Sequence, residues 1–175
     1  MERPPAVSRI IGIDPGSRIT GYGVIDSDGM RSRHIAHGTL RLQGEALPPR
    51  LGQIFAGIIQ IIDEFRPAVM AIEQVFVAKN PASALKLGQA RGAAICAAVS
   101  RQLEVVEYTP TRIKQAVVGV GRAEKEQVQH MVQLILKLTQ RPVTDAADAL
   151  AVALSHAHTG STLEHLAIQR RGGRR

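Results

Sequence analysis

Residues 8–14 read SRIIGID and run directly into a Pro-Gly-Ser turn. A short apolar run that ends at Asp-Pro-Gly is typical of a buried strand entering a turn. Two further strand-like stretches, TGYGVID (20–26) and RSRHIAHGTLRL (31–42), follow it and are separated by Ser-Asp-Gly. Together the three stretches predict an antiparallel meander.

The segment LPPRLGQIFAGIIQIIDEFRP (47–67) has the clearest helical pattern, because apolar residues recur at spacings of three and four. These residues are Leu51, Ile54, Phe55, Ile58, Ile62 and Phe65. Pro67 is expected to end the helix. The apolar run AVMAIEQ (68–74) predicts the next strand. A helix between two strands implies a parallel crossover that places the new strand beside an earlier one.

The rest of the chain is predicted to be mostly helical. An Ala-rich helix is expected at 82–100 and the strand EVVEY at 104–108. Three more helices are expected in TPTRIKQAV, GVGRAEKEQVQHMVQLILKL and TDAADALAVALSHAH. This order predicts an α/β fold, a mixed sheet with helices on its faces. We expect one domain over residues 1–168 and a flexible basic tail over 169–175.

The 82–100 helix carries two packing signals. Gly88 and Gly92 lie four residues apart on one face, where another backbone can approach closely. Packing within the subunit is the preferred interpretation, and a dimer interface is the alternative. Cys96, the only cysteine, lies in the apolar run GAAICAAV and is expected to be a small core residue.

Composition narrows the class of protein. A length of 175 residues with 45% hydrophobic residues fits one compact domain. No apolar stretch is long enough for a membrane span, and the N-terminus lacks the apolar segment of a signal peptide. A single cysteine allows no internal disulfide, which fits a reducing compartment. We therefore expect a cytoplasmic protein with no membrane association.

The net charge of +7 favours a polyanionic partner such as nucleic acid. Four of these charges come from the arginines of the tail QRRGGRR, so residues 1–169 carry only +3. Charge alone therefore suggests nucleic acid without establishing it.

Four acidic residues have apolar surroundings, namely Asp14, Glu73, Asp145 and Asp148. Asp14 and Glu73 each end a buried run, and the two aspartates of the last helix are three residues apart on one face. No Lys or Arg is an obvious partner nearby in sequence, and an unpaired buried carboxylate is costly. If the first and fourth strands are parallel neighbours, their acids emerge at the same sheet edge. Shared Mg²⁺ or Mn²⁺ ions would satisfy all four carboxylates.

Four long motifs, in order, carry a family resemblance: IIGIDPGSRITGYGVI, AIEQVFVAKNPASALKLGQARG, KQAVVGVGRAEKEQVQHMV and DAADALAVALSHAH. Over about residues 9 to 158, the chain resembles the RuvC Holliday-junction resolvases of bacteria. The resemblance implies a ribonuclease-H-like fold with a mixed five-stranded sheet, a homodimer, and Mg²⁺-dependent cleavage of four-way DNA junctions. The branch-migration proteins RuvA and RuvB are implied as partners.

The same resemblance places Asp14, Glu73, Asp145 and Asp148 on the catalytic acids of the family. Our hypothesis is that Asp14 bridges two Mg²⁺ ions, for which Mn²⁺ can substitute, while the other three complete the two sites. Paired symmetric nicks in recombination and repair are expected to leave 5′-phosphate and 3′-hydroxyl ends. Two-fold related active sites would match the symmetry of the junction.

Candidate DNA contacts lie around these acids. Lys114 and Lys125 are expected to bind phosphate, and the resemblance places both near the active site; Lys125 also begins a helix, where free N–H groups favour anions. Arg122 is a weaker candidate. Phe76 follows Glu73 in a loop, so we expect its ring to stack on an unpaired base at the junction centre.

Three other functions remain open at this point. A related nuclease could act on RNA or RNA–DNA hybrids, and an actin-like ATPase or nucleotide kinase shares a similar Gly-Ile-Asp start. The chain is too short for the two lobes that an ATPase needs. A noncatalytic DNA-binding module would leave the four acids unexplained, because carboxylates without metal repel phosphates.

Overall fold

The structure is a computed structural model that describes residues 7–75 and 80–172, with the side chains of the last helix described as far as residue 159. Its elements in chain order are β1 (Ser8–Asp14), β2 (Ile19–Ser27), β3 (Ser32–Arg41), α1 (Leu47–Phe65), β4 (Val69–Glu73), α2 (Pro81–Ser100), β5 (Glu104–Tyr108), α3 (Pro110–Val118), α4 (Lys125–Ile135) and α5 (Thr144–Gly172).

The five strands form one sheet in the order β3-β2-β1-β4-β5. The first three are antiparallel neighbours, and β4 and β5 run parallel to β1. Both the meander and the parallel crossover are therefore confirmed. Because β1, β4 and β5 are parallel, their last residues, Asp14, Glu73 and Tyr108, lie at the same edge of the sheet.

Alternation along the strands divides the core between the two faces of the sheet. On one face, Ile11 and Ile13 of β1 pack with the buried stripe of α1 and the alanines of α2. On the other face, Ile10 and Ile25 pack with α3, α4 and α5. Phe55 is an exception to the predicted stripe of α1, because it is 37% exposed.

Glycines in the first two strands let α5 approach the sheet backbone closely. A Cβ at Gly12 would overlap the carbonyl oxygen of Ala149, and a Cβ at Gly21 would overlap that of Asp145. Only residues without side chains leave room for α5 at these two points. The first turns of α5 are thereby held against the carboxyl end of β1.

The outer face of α2 corrects two expectations. A Cβ added at Gly88 or Gly92 would meet nothing within 4 Å, so these glycines do not serve packing within the subunit. Cys96 is exposed and is not a core residue. The small residues at this spacing mark an open surface of α2.

Two further observations concern the ends of the chain and the membrane. Helix α5 continues to Gly172, beyond residue 168, where we placed the end of the domain. The flexibility of the basic tail stays a prediction. Within the described part of the chain, no helix is long and apolar enough to cross a membrane.

Candidate active site

Three of the four acids, Asp14, Glu73 and Asp148, line one open cavity of about 280 Å³. Asp14 and Glu73 reach it from the ends of β1 and β4, and Asp148 reaches it from α5. Lys114 of α3 and Lys125 of α4 line its other side. Residues that are distant in sequence therefore meet at the sheet edge that the topology predicted.

Asp14 is the most perturbed of the acids. Burial, followed by the negative charges of Asp148, Glu73 and Asp145, raises the pKa of Asp14 to about 8, and Lys125 opposes this rise only in part. The carboxyl group of Asp14 thus holds a proton at neutral pH unless a cation replaces it. This is the behaviour expected of a metal ligand when its ion is removed.

Nearby charges act on the side chain of Glu73, and a hydrogen bond fixes its backbone carbonyl. Burial and the charge of Asp148 raise the pKa of Glu73, while Lys125 and Lys114 lower it. The carbonyl oxygen of Glu73 accepts a hydrogen bond of 3.1 Å from Nε of Arg91 in α2. Nη2 of Arg91 also forms an ion pair of 2.7 Å with Glu107 at the end of β5. Arg91 therefore ties α2 to the ends of both strands.

Asp148 has a cationic partner that the sequence did not reveal. Nζ of Lys125 lies 2.6 Å from Oδ2 of Asp148. Burial raises the pKa of Asp148, although Lys125 opposes the rise. Burial works to lower the pKa of Lys125, but the hydrogen bond and charge of Asp148, with the charges of Asp14 and Asp145, raise it overall. No basic residue lies near Asp148 in sequence, and its partner Lys125 comes from another helix, 23 residues earlier in the chain.

Asp145 lies beside the cavity and does not line it. Its charge still raises the pKa of Asp14 and of Asp148, so it belongs to the same electrostatic cluster. Among residues 7–75 and 80–159, no three Asp, Glu, His or Cys side chains are arranged to enclose a metal ion.

The donor set nevertheless suits Mg²⁺. This ion is usually held by one or two carboxylates together with waters and substrate phosphates, and it rarely uses a cage made only of protein ligands. Such a site fits these acids, because all their ligand atoms are oxygens. In the described part of the chain, Asp14 also has no cationic partner within 4 Å.

A second cavity of about 280 Å³ adjoins the first. Asp14, Glu73 and Pro110 line both cavities, and Gln74 and Leu87 line only the second. Asp14 and Glu73 therefore lie between two open cavities.

The predicted DNA contacts have different surroundings. Lys114 and Lys125 line the first cavity, whereas Arg122 is exposed and lines neither of the two. Phe76 lies outside the described residues. Sequence reasoning missed Arg91 and the glycines Gly12 and Gly21; the strand glycines gave a visible signal, because glycine inside an apolar strand often marks a close backbone approach.

Comparison with known proteins is consistent over most of the chain. The family model "Crossover junction endodeoxyribonuclease RuvC" matches residues 10–156. A curated protein of that name from Pseudoalteromonas atlantica is 62% identical over 154 residues, which cover 88% of this chain and 89% of the relative.

Two solved structures agree with this match. Thermus thermophilus RuvC in complex with a Holliday junction substrate superposes with a TM-score of 0.82 at 35% identity, covering 87% of this chain and 94% of that one. The yeast mitochondrial Holliday junction resolvase, at 12% identity and a TM-score of 0.64 over 94% of this chain and 85% of that one, shares the fold. The predicted ribonuclease-H-like fold is confirmed, and the chain belongs to the RuvC family of crossover junction endodeoxyribonucleases.

Proposed function

We propose that this protein is a metal-dependent endonuclease of the cytoplasm that resolves four-way DNA junctions during recombination and repair. The observation that carries the proposal is the buried cluster around Asp14, whose pKa of about 8 reflects negative charge packed together at one sheet edge. Such a cluster lowers the stability of a folded domain, but it gives an enzyme a site that binds cations. The relatives' names and the junction complex of the Thermus protein supply the substrate class.

The residues that would hold Mg²⁺, or Mn²⁺ as a substitute, are Asp14, Glu73, Asp145 and Asp148. Bound ions of this kind supply an activated water and neutralise charge on the leaving oxygen. The protein's own part is to hold the carboxylates in place and to orient the strand that is cut. The products would be 5′-phosphate and 3′-hydroxyl ends.

Lys125 has a specific part in this proposal. Its ammonium group forms an ion pair of 2.6 Å with the carboxylate of Asp148. A cation held by Asp148 would compete for this carboxylate and leave the ammonium group of Lys125 available in the cavity, where Lys114 also lies. Both side chains are then placed to bind the phosphate that is cut. Arg122, which does not line this cavity, and Phe76 remain proposed DNA contacts, Phe76 by stacking on an unpaired base.

A homodimer would place two such sites on one junction, and α2 offers the contact surface. Leu85 and Val99 are 71% and 60% exposed and share a stripe with Gly88, Gly92 and Cys96, at spacings of three and four. Exposed apolar and small residues in a row suit close contact with a second helix. RuvA and RuvB are proposed as further partners on the family resemblance alone.

The dimer proposal is tested by changing the centre of this stripe. Gly92→Leu fills the space that a second helix would need, and the variant is expected to sediment as a monomer where the wild type sediments as a dimer. Lys86→Leu adds similar apolar bulk outside the stripe and serves as the control. A wild type that is monomeric at working concentration contradicts the proposal.

The cleavage proposal is tested with Asp14→Asn on junction, duplex and RNA–DNA hybrid substrates of matched sequence. Wild type with Mg²⁺ is expected to cut the junction by paired nicks and to lose this activity in chelator. Asp14→Asn should bind the junction but cut it more than a thousandfold more slowly, a loss of over about 4 kcal/mol of transition-state stabilisation. Near-normal cutting by the variant rejects the assignment, and preferential cutting of the hybrid favours the rival nuclease activity.

A further inference from the structure

A large groove of about 1190 Å³ lies on the α5 side of the sheet, away from the acidic cavities. One wall is formed by residues 30–34 and 37–39 along β3, and the other by residues 135–143, the segment that joins α4 to α5. We call it the β3 groove. None of the residues that build it belongs to the acidic cavities described above.

The near end of the β3 groove lies beside the active site. Thr39 pairs with Gly21, and Gly21 pairs with Asp14, so two strand spacings, about 10 Å, separate Thr39 from Asp14. On the other wall, Val143 directly precedes α5 and the acid Asp145. From Thr39 the groove follows β3 for about 23 Å to Ser32, at 3.3 Å per residue.

The charge of the β3 groove is of one sign. Arg31, Arg33, Lys137 and Arg141 line it, and none of the described lining residues is an Asp or Glu. Of the nearby acids, Asp26 accepts hydrogen bonds of 2.7 and 3.0 Å from Arg9 and Arg33, so Arg33 of the groove is already paired. Asp28 accepts from the backbone N–H groups of Met30 and Arg31. Arg31, Lys137 and Arg141 form no ion pair in the described part of the chain, so these three cations have little competition for an anionic ligand.

A bulge in β3 adds two imidazoles to the same wall. Ala36 pairs with Val24 and His34 pairs with Ile25, which leaves Ile35 without a partner. The extra residue brings His34 and His37 onto one face, with Nε2 of His34 2.7 Å from Nδ1 of His37. Bulges of this kind redirect side chains next to functional sites. Here the bulge replaces a hydrophobic residue with a polar one on the groove wall.

We propose that the β3 groove binds the sugar-phosphate backbone of the duplex arm that leads away from the cut. The inference rests on the proposed junction cleavage and deepens it. A strand of duplex DNA has one phosphate per about 3.4 Å of helix axis, so the groove would begin about three base pairs from the cut and follow about seven more. Cations on both walls of a groove that no Asp or Glu lines suit such a polyanion, and they read no base sequence.

The test removes positive charge from the groove and negative charge from the DNA arm, and asks whether the two changes affect binding affinity independently. Lys137 has a left-handed backbone with φ of 52°, so Lys137→Asn removes the charge with a residue that tolerates this conformation. It is combined with Arg31→Gln at the far end of the groove. Arg66→Asn is the matched control, because Arg66 is also exposed and left-handed, with φ of 49°, but follows α1 on the opposite face of the sheet.

Binding is measured in chelator, as a function of salt, on a junction with ordinary phosphates and on one with neutral methylphosphonates at about the third to tenth positions from the cut. Wild type should lose affinity for the neutral arm. The double variant should bind the ordinary junction on the order of tenfold or more weakly at 0.1 M salt, with a salt slope smaller by about two. It should lose little more on the neutral arm, and Arg66→Asn should behave as wild type.

Two results overturn the proposal: equal affinity and salt slope for wild type and the double variant, or a loss that is the same on both junctions. The first result would mean that the groove serves another partner, such as an acidic protein surface, and the second that its charges act on phosphates outside the neutralised arm. Wild-type cleavage of the ordinary junction with Mg²⁺ is measured in parallel. Failure there rejects the proposed function itself, while normal cleavage with no coupling rejects only the groove.

Discussion

Helices α2 and α5 lie on opposite faces of the sheet and use small residues in opposite ways. Both contain many alanines, and both are predicted from the sequence with similar ease. Against α5, the strand glycines Gly12 and Gly21 meet backbone atoms directly. On α2, the glycines Gly88 and Gly92 meet nothing in the subunit.

The difference shows what a small residue indicates in this protein. Opposite α5 it permits contact within the subunit, and that contact sets the position of Asp145 and Asp148 relative to Asp14. On α2 it leaves space that only a second molecule could fill. The same sequence signal thus supports the active site in one region and a proposed dimer interface in the other.

The largest effect is expected from adding one methyl group at Gly12, which faces α5. Gly12→Ala would force its Cβ against Ala149 and to 2.6 Å from the backbone nitrogen of Ala153, so α5 must move away from the sheet. We expect a loss of about 3 kcal/mol in the free energy of unfolding, together with a large loss of cleavage. Chemical denaturation and junction cleavage measure the two effects.

Gly88→Ala is the matched control, since the same methyl group enters open space. In the isolated subunit it is expected to raise the free energy of unfolding by about 1 kcal/mol, because alanine favours a helix interior more than glycine does. Any loss should reflect weaker dimerisation and disappear on dilution. Equal destabilisation by the two substitutions would contradict the comparison.

Much of the fold could be predicted because local patterns and connection rules agree. Most of the sheet follows from three features of the sequence. These are the alternation in the first three strands, the apolar stripe of α1, and the rule that a strand after a helical crossover returns beside an earlier strand. The acids at the ends of β1 and β4 followed from that topology. Asp145 and Asp148 could be assigned to one helix face by their spacing alone.

What the sequence did not show depends on how the helices sit on the sheet. The ion pair of Lys125 with Asp148 joins two helices, and no pattern along either one encodes it. The exposure of Cys96 and Phe55 depends on which neighbours cover them, and apolar spacing cannot distinguish a covered face from an open one. The β3 groove likewise joins a strand to a loop about a hundred residues later.

The next effect concerns the acids that α5 brings to the sheet. In the folded protein Asp14 keeps its proton up to about pH 8, whereas its ordinary pKa is 3.8. Between these values the folded state binds more protons than the unfolded state, so this carboxyl makes the metal-free protein less stable as pH rises. Asp14→Asn cannot titrate. Its Tm in chelator should therefore exceed that of the wild type by an amount that grows from about pH 4 to about pH 8.

Asp63→Asn is the control, because its effect on stability should change with pH in the opposite direction. The hydrogen bond and charge of Arg101 lower the pKa of Asp63, so its removal should cost stability near neutral pH and nothing at low pH. Adding Mg²⁺ should raise the Tm of the wild type much more than that of Asp14→Asn, because only the wild type keeps the ligand. A Tm for Asp14→Asn that lies below the wild type at every pH would contradict a destabilising charge cluster.

The smallest effect concerns Arg91, the side chain of α2 that points inward and connects this helix to the active site. It binds the carbonyl oxygen of Glu73 and the carboxylate of Glu107, so it acts as a positioning residue. Arg91→Gln should cost about 1 kcal/mol of stability and shift the Mg²⁺ concentration for half-maximal cleavage several-fold, with a smaller change in the maximal rate. Arg101→Gln removes an ion pair of 2.7 Å at the end of the same helix, far from the cavity. Because that pair touches no acid of the site, only Arg91→Gln should change the Mg²⁺ dependence; if both variants shift it equally, Arg91 stabilises α2 without positioning Glu73.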